Sequence, residues 1–578
     1  MCHSCHTKHD RSRKSRRQGE NSDMTAVKIS DSAATGTPVG EALRVTGSDA
    51  VQWDDSCDLL VVGVGLAGAS ACLRGDELGL DTIAVDRFCG GGASELSGGV
   101  VYAGGTHVQA ELGIEDSTEN LYNYLGYETG SLISEPTLRK FCQDSPGLIT
   151  WLESYGVPFG GPVALRKCSY PPKGHYLYYS GNETTPDGKA RATPAPRGHR
   201  ALPTFKTKER FSGVFIMTRL KAAIAAARNI RTMYQSSVRR LVIDARGQVI
   251  GAEVWQMRPG SLAARLHRRA YLMGRPLTLE ALGINGPLWQ MVARLERKYA
   301  RPKLVRACKG VVLSAGGFIH NKAMMDRHAP LYEDVFHQGT QGDDGSGIRL
   351  GVSAGAVTTQ MDTISAWRFV SPPYDWPKGI MISPEGRRFT NEEQYGARVS
   401  RGMYEKAGGK AWLVLDQAMV DSGLADVATG ELQDYQTMTA KAWLRAAKKA
   451  DSIAGLEQAI GVPAGSLQGE VRAYNDAIAA GETDPQGKSD AMRAALVKAP
   501  FHALDISNKL VAPVAALTMG GLSVDEATGG VVGEDGAVIA GLYAAGRNAT
   551  GMCSNEYISG LSLADCVWSG RRAAEAAQ

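Results

Sequence analysis

Apolar residues in this chain fall into short runs separated by glycine-rich or charged segments. The run at residues 57–62 reads as a buried strand, because Leu59, Leu60, Val61 and Val62 follow one another without the alternation of a half-wet sheet. Next come Gly63-Val64-Gly65-Leu66-Ala67-Gly68 and a helix-compatible stretch over residues 69–78. A second apolar strand, residues 82–85, ends at Asp86, 23 positions beyond Gly63. Two more strand patterns lie within residues 238–255, joined around Asp244-Ala245-Arg246-Gly247, and a further buried strand begins at Gly310. Between 257 and 303, Leu262, Leu266 and Met273, then Leu288, Val292, Leu295 and Tyr299, recur near helical spacing, with Pro276 and Pro287 as breaks. Strands alternating with helices predict an α/β fold.

The chain has 578 residues, 43% hydrophobic and 21% charged, which is the make-up of a folded protein of several domains. Its longest apolar stretch, residues 59–73, is broken by three glycines and ends at Arg74, too short for a membrane span. Ten scattered cysteines without a secretory segment predict a reduced, cytoplasmic protein. Cys2, Cys5 and His6 have the spacing of a c-type haem site, but a basic run rather than an export segment follows, so they are assigned no role. Residues 1–54 are expected to be a flexible leader.

The first strand, turn and helix form a dinucleotide motif. Gly63 permits the turn, Gly65 lets a pyrophosphate approach the backbone at Leu66 and Ala67, Gly68 lets helix meet strand, and Asp86 with Arg87 stands where a ribose would lie. The segment after Asp86 holds Gly91, Gly92, Ala93, Ser94, Ser97, Gly98 and Gly99, small residues and hydroxyls suited to close contact with a longer ligand. Gly351-Val352-Ser353-Ala354-Gly355 matches a nucleophile-elbow pattern, but it lies in a helical stretch with no strand before it. No H-E-x-x-H, paired C-x-x-C or P-loop occurs, so no metal is expected.

From the dinucleotide motif to the C-terminus the chain resembles flavoproteins of the fumarate reductase and 3-ketosteroid dehydrogenase superfamily. The resemblance runs through Ser314-Ala315-Gly316-Gly317, Asp343-Asp344-Gly345-Ser346-Gly347, Ala545-Gly546-Arg547 and Gly560-Leu561-Ser562-Leu563. It implies FAD as cofactor, held by the residues already named and by Ala315, Gly316, Asp344, Gly546, Arg547, Gly560, Ser562 and Leu563. The implied architecture is a Rossmann-like FAD-binding domain, residues 55–355 with 506–578, and an inserted α+β cap, residues 356–505.

Three positions separate this chain from the reductases of that superfamily. Gly396 stands where they carry an acid arginine, Arg398 being two positions out of register; Leu517 replaces their histidine, and Glu556-Tyr557-Ile558-Ser559-Gly560 replaces Asn-Arg-Leu-Gly-Gly. Phenols and a hydroxyl at Tyr395, Tyr557 and Ser559 suit a ketone better than a carboxylate. The C-terminal Tyr-x-Ser-Gly and a cap tyrosine three positions after Asn-Glu look closest to the 3-ketosteroid Δ4-(5α)-dehydrogenases. That resemblance implies that Tyr557 binds the C3 carbonyl, Ser559 takes the C4 proton and Tyr395 relays it. Δ1 desaturation of a 3-ketosteroid and reduction of an unsaturated small acid are the alternatives. Tyr102 and His320 are further candidates for lining the pocket.

Charge alters one part of this picture. The overall net charge is +4, which points away from nucleic acid, yet residues 257–303 hold ten basic residues against Glu280 and Glu296. Residues 1–24 add three positive charges, so the remainder of the chain is acidic. Basic amphipathic helices suit peripheral contact with an anionic membrane, where a quinone is one candidate electron acceptor; packing against the subunit is the alternative.

Overall fold

The computed structural model describes residues 36–203, 212–276, 283–509 and 512–578. Its centre is a sheet in which strands Val538–Ala544, Ala300–Leu313, Asp55–Val62, Thr82–Asp86 and Ile230–Tyr234 run parallel. The register places Tyr543, Val312, Val61, Ala84 and Thr232 in one row. Leu59, Leu60 and Val61 are fully buried, as expected of a strand covered on both faces. Ser236–Ile243 and Val249–Met257 continue the sheet antiparallel beside Ala300–Leu313.

Helix Leu66–Glu77 leaves the first strand through Gly63, whose φ of 95° lies in the left-handed region that glycine tolerates. A side chain there would run into the backbone of Ala315 at 2.7 Å. Helix Leu561–Ala576 packs against Leu66–Glu77; a Cβ on Gly570 would meet the Ala67 carbonyl at 2.2 Å. The cap carries the sheet Ile380–Ile382, Trp412–Leu415, Phe501–Asp505 and Lys448–Ala450, with helices from Gly396–Ala407 to Ser466–Ala479. Strand Ile364–Trp367 pairs with Ala515–Thr518, tying the start of the cap to the returning chain.

One boundary moves. Residues 36–54, expected in the leader, belong to the fold. Leu43–Arg44 adds a parallel strand beside Ser236–Ile243, Thr37 N–H donates to Asp344 Oδ2 at 2.6 Å, and Arg349 donates to Thr37 O at 2.7 Å. Their polar composition hid this, because the contacts run through backbone. Cys2, Cys5 and His6 lie outside the described residues. Among the described residues no helix is long and apolar enough to cross a membrane, and every cysteine is a free thiol.

The insertion folds as the two predicted helices, Leu262–Gly274 and Gly286–Tyr299. Their inner faces are buried on the enzyme body. Tyr271 stacks on Phe88 at 4.2 Å between centroids and 9° between planes, and Trp289 closes the same cluster. Ser353 lies within helix Ser346–Ser353 and bonds to Leu350 O, a packed helical serine.

Candidate active site

One cavity of about 750 Å³ runs between the sheet's carboxyl ends and the cap. Its first part is built for a dinucleotide. Helix Leu66–Glu77 begins at Gly65 with no side-chain cap from that residue, so its first N–H groups face the cavity; Ser94 Oγ accepts from Leu66 N–H at 3.1 Å. A Cβ on Gly65 would come no nearer than 3.8 Å to Ser94 Oγ, so the approach is clear. Such a terminus, with its positive dipole end, is a ready seat for a pyrophosphate. Helix Leu561–Ala576 also starts on the cavity at Gly560, without a side-chain cap.

Asp86 reaches the cavity while its carboxylate accepts the N–H groups of Val64, Phe88 and Gly90 at 2.8–3.0 Å, locking the turn around the ligand. Beyond it, Arg87 is clamped by Glu296 at 3.0 Å and Asp344 at 3.1 Å, and His267 reaches Glu296 at 3.0 Å. Burial works against ionising Glu296, but Arg87 and His267 more than offset it and bring its carboxyl down to about 2. The insertion therefore forms a wall of the nucleotide site. Helical spacing revealed its helices but not that their inner faces carry Tyr271 and Glu296.

Most expected contacts line the cavity: Gly63, Gly65, Leu66, Ala67, Asp86, Arg87, Ala93, Ser94, Ser97, Gly98, Gly99, Ala315, Gly316, Arg547, Gly560, Ser562 and Leu563. Gly68, Asp344 and Gly546 do not, and each has another task. A Cβ on Gly68 would meet Gly63 O at 1.9 Å, so Gly68 is needed for helix–strand contact. Asp344 accepts from Thr37, Arg87 and Ser346, whereas neighbouring Asp343 lines the cavity and holds Arg547. Gly546 takes a φ of 60°, and a Cβ there would meet Ala67 at 2.9 Å. Arg547 pairs with Asp343 and still keeps Nη1 buried without a protein partner, a donor left over for a ligand. Of the two further candidates, Tyr102 bonds to Glu183 and His320 to Gln341, and neither lines the cavity.

The second part of the cavity gathers Tyr395, Tyr557 and Ser559. Arg401 holds Glu556 at 2.5 Å and Ile558 is fully buried, so Tyr557 and Ser559, on either side of Ile558, both reach the cavity. The rings of Tyr395 and Tyr557 lie 6.3 Å apart, and Trp367 packs on Tyr557 at 5.3 Å. Sequence reasoning missed a fourth group. The fully buried Tyr178 donates its hydroxyl to Ser559 Oγ at 2.9 Å. Around it, Ser559 N–H donates to Ser180 O at 3.1 Å, Ser180 Oγ donates to Ser559 O at 3.0 Å, and Tyr395 N–H donates to Asn182 Oδ1 at 2.7 Å. One loop, residues 178–182, therefore fastens both Ser559 and Tyr395. The tyrosine-rich stretch Leu177-Tyr178-Tyr179 was the available signal.

Burial pushes the phenols of Tyr178, Tyr395 and Tyr557 upward; Ser559 partly counters this at Tyr178 and Tyr395, and a bond from the Gly560 backbone does so at Tyr557. All three stay neutral donors through the physiological range. The Gly396 position explains the missing reductase arginine: a Cβ there would strike Phe369 at 2.4 Å. Arg398 is spent on Glu128 at 2.8 Å, and Leu517 gives the cavity an apolar wall. Among the described residues no cluster of His, Cys, Asp or Glu could hold a metal.

A parallel sheet, two helix N-termini facing one cavity, a cavity-lining arginine with one buried N–H group left free beside its Asp343 pair, and a phenolic pocket beyond suit a flavin-dependent oxidoreductase. The FAD binding domain model matches residues 58–563, and the chain belongs to that family, with FAD as its cofactor. The chain is 37% identical over 529 residues to the 3-oxo-5-alpha-steroid 4-dehydrogenase of Comamonas testosteroni, covering 89% of this chain and 96% of that one. It is 26% identical to the 3-oxosteroid 1-dehydrogenase of Mycobacterium tuberculosis, over 86% and 94%. Among solved structures, the 3-ketosteroid-delta4-(5alpha)-dehydrogenase of Rhodococcus jostii RHA1 matches with a TM-score of 0.76 and 28% identity, over 93% of this chain and 99% of that one.

Proposed function

We propose that this flavoenzyme desaturates a 3-oxo-5α-steroid between C4 and C5. The observation that carries the reading is the pairing of Ser559 with the Tyr178 hydroxyl, in a cavity that Tyr395, Tyr557 and Gly560 also line. An α proton becomes acidic when the ketone oxygen is stabilised as negative charge develops on it, and a preorganised donor there contributes about 3 kcal/mol. Tyr557 is that donor, with the Gly560 backbone beside it. Ser559 alone is a weak base, so as it takes the C4 proton its own must leave: Tyr395 takes that proton while releasing its own toward solvent in the cavity, and the bond that Tyr178 donates to Ser559 Oγ stabilises charge on the serine oxygen. Bound FAD supplies the acceptor for the hydride that leaves C5. Trp367, Phe369 and the exposed Tyr435 and Met438 give the apolar surface that a fused-ring substrate buries.

The reading extends to partners. Turnover would need an external two-electron acceptor for bound FAD, and a membrane quinone suits an enzyme whose basic insertion faces outward. Anaerobic mixing of the holoenzyme with a saturated 5α-3-ketosteroid, a 4-ene-3-ketosteroid or succinate, followed by flavin absorbance, tests the reaction. Bleaching by the first alone is expected. Bleaching by the second would assign Δ1 chemistry, and no bleaching by either steroid would overturn the proposal.

A further inference from the structure

The cavity wall also carries a cation that the ketone chemistry leaves unused. Arg368 follows strand Ile364–Trp367, and successive residues of an extended chain face opposite ways. Trp367 packs on Tyr557 at 5.3 Å and Phe369 on Tyr395 at 5.4 Å. Arg368, between them, turns instead toward the cap helix Asp434–Ala446, with its guanidinium 5.4 Å from the centre of the Trp443 ring. It is 3% exposed and still lines the cavity, together with Trp443, Ala440, Ala512 and Pro513.

Its partners do not neutralise it. Nη2 donates to Ser507 O at 3.3 Å and Ala512 O at 2.9 Å, and Nε is buried with no partner. Among the described residues no carboxylate lies within ion-pair distance, whereas the buried Arg87, Arg197 and Arg547 are each matched by one. Burial lowers its pKa to about 10, so it remains a cation at neutral pH. An unpaired buried charge costs several kcal/mol after relaxation, and its place on a ligand cavity marks a binding group rather than a packing one. The guanidinium fork matches a carboxylate in geometry and charge.

Trp367 and Phe369 pack on the two phenols, while the Arg368 guanidinium turns from them to Trp443 and Ala512. A ligand whose ketone lies at Tyr557 would therefore meet Arg368 with another part of its body. We infer that Arg368 forms a far-end subsite that receives a carboxylate on the steroid side chain, making acidic 3-oxo-5α-steroids the preferred substrates. The inference rests on the dehydrogenation proposed above and deepens its substrate class.

The test compares 3-oxo-5α-cholan-24-oic acid with its methyl ester on the FAD-loaded enzyme, reading KM and kcat separately. The acid is expected to show a KM at least tenfold lower than the ester at similar kcat. Arg368→Met should bring the KM ratio close to one, and Arg368→Lys should restore part of it, with flavin content and spectrum reporting that both variants fold. Equal KM values in the unaltered enzyme, or a rise in both KM values alike in Arg368→Met, would overturn the subsite while the dehydrogenation stands. Failure of both steroids to bleach the flavin would overturn the dehydrogenation and the subsite with it.

Discussion

Tyr178 donates its hydroxyl to Ser559 Oγ at 2.9 Å, so the serine assigned to the C4 proton enters the reaction already linked to a buried phenol. The donated bond stabilises the negative charge that develops on Oγ as the serine's own proton leaves through Tyr395, so Oγ can take the C4 proton. Tyr178→Phe is therefore expected to slow flavin reduction by 3-oxo-5α-steroid by about tenfold to a hundredfold, with little change in steroid binding. Ser559→Ala should lose more. Anaerobic stopped-flow reduction, with binding read separately from the flavin spectrum, checks both; an unchanged rate in Tyr178→Phe would remove this bond from the account.

In the proposed reaction Tyr557 donates to the ketone, joined by the Gly560 backbone. Removing one preorganised donor costs about 3 kcal/mol, so Tyr557→Phe should lower kcat/KM by roughly a hundredfold. Because burial holds the Tyr557 and Tyr395 phenols above their ordinary range, neither produces an alkaline loss of activity up to pH 10. A rate profile in which Tyr557→Phe erased a pH dependence near 8 would contradict the neutral-donor role.

The division between what the sequence foretold and what it hid follows the length of the contacts. The turn at Gly63, the strand ending at Asp86 and the start of helix Leu561–Ala576 are local, so glycine spacing and apolar runs were enough to place them. Tyr395, Tyr557 and Ser559 could be named through motif resemblance. Tyr178 could not, because its value lies in a contact 381 positions away. The same holds for Asp344, which resemblance assigned to the cofactor: its hydrogen-bond partners Thr37 and Arg87 come from the supposed leader and the end of a distant strand. Helical periodicity located the insertion but was silent on its seat, since outward and inward faces have the same period.

That seat predicts a part for the insertion in FAD retention. Glu296 holds Arg87, and Tyr271 stacks on Phe88 beside the nucleotide end. Glu296→Gln should raise the FAD dissociation constant about tenfold, read by the fluorescence of flavin released on ultrafiltration. The pH dependence has a definite sign. The Glu296 carboxyl lies at about 2 when folded, below its ordinary 4.5, so the stability it contributes is complete above pH 4.5 and is lost as pH falls through about 2. Between pH 7 and 3 the Tm of the unaltered holoenzyme should therefore fall more steeply than that of Glu296→Gln; parallel curves would remove Glu296 from the account.

The outer face of the same helices leads to the last prediction. Leu262, Leu266 and Met273 are 73%, 45% and 52% exposed, fall on one stripe of helix Leu262–Gly274, and are accompanied by the exposed Arg265, Arg268 and Arg269. An apolar stripe edged by arginines suits the headgroup layer of an anionic bilayer, where each basic residue near the surface contributes about 1 kcal/mol. Deleting residues 257–303 would be a poor test, because Tyr271 and Glu296 would go with them and FAD binding would suffer. Point changes on the outer face avoid this. Replacing Arg265, Arg268 and Arg269 with serine should weaken partition onto phosphatidylglycerol vesicles by about a hundredfold, at roughly 1 kcal/mol per charge, and Leu266→Glu with Met273→Glu should weaken it further. Flavin content should be preserved in both sets, because the inner face is untouched. Partition that ignores these changes, or equal affinity for phosphatidylcholine vesicles in high salt, would show that the stripe has no lipid to meet.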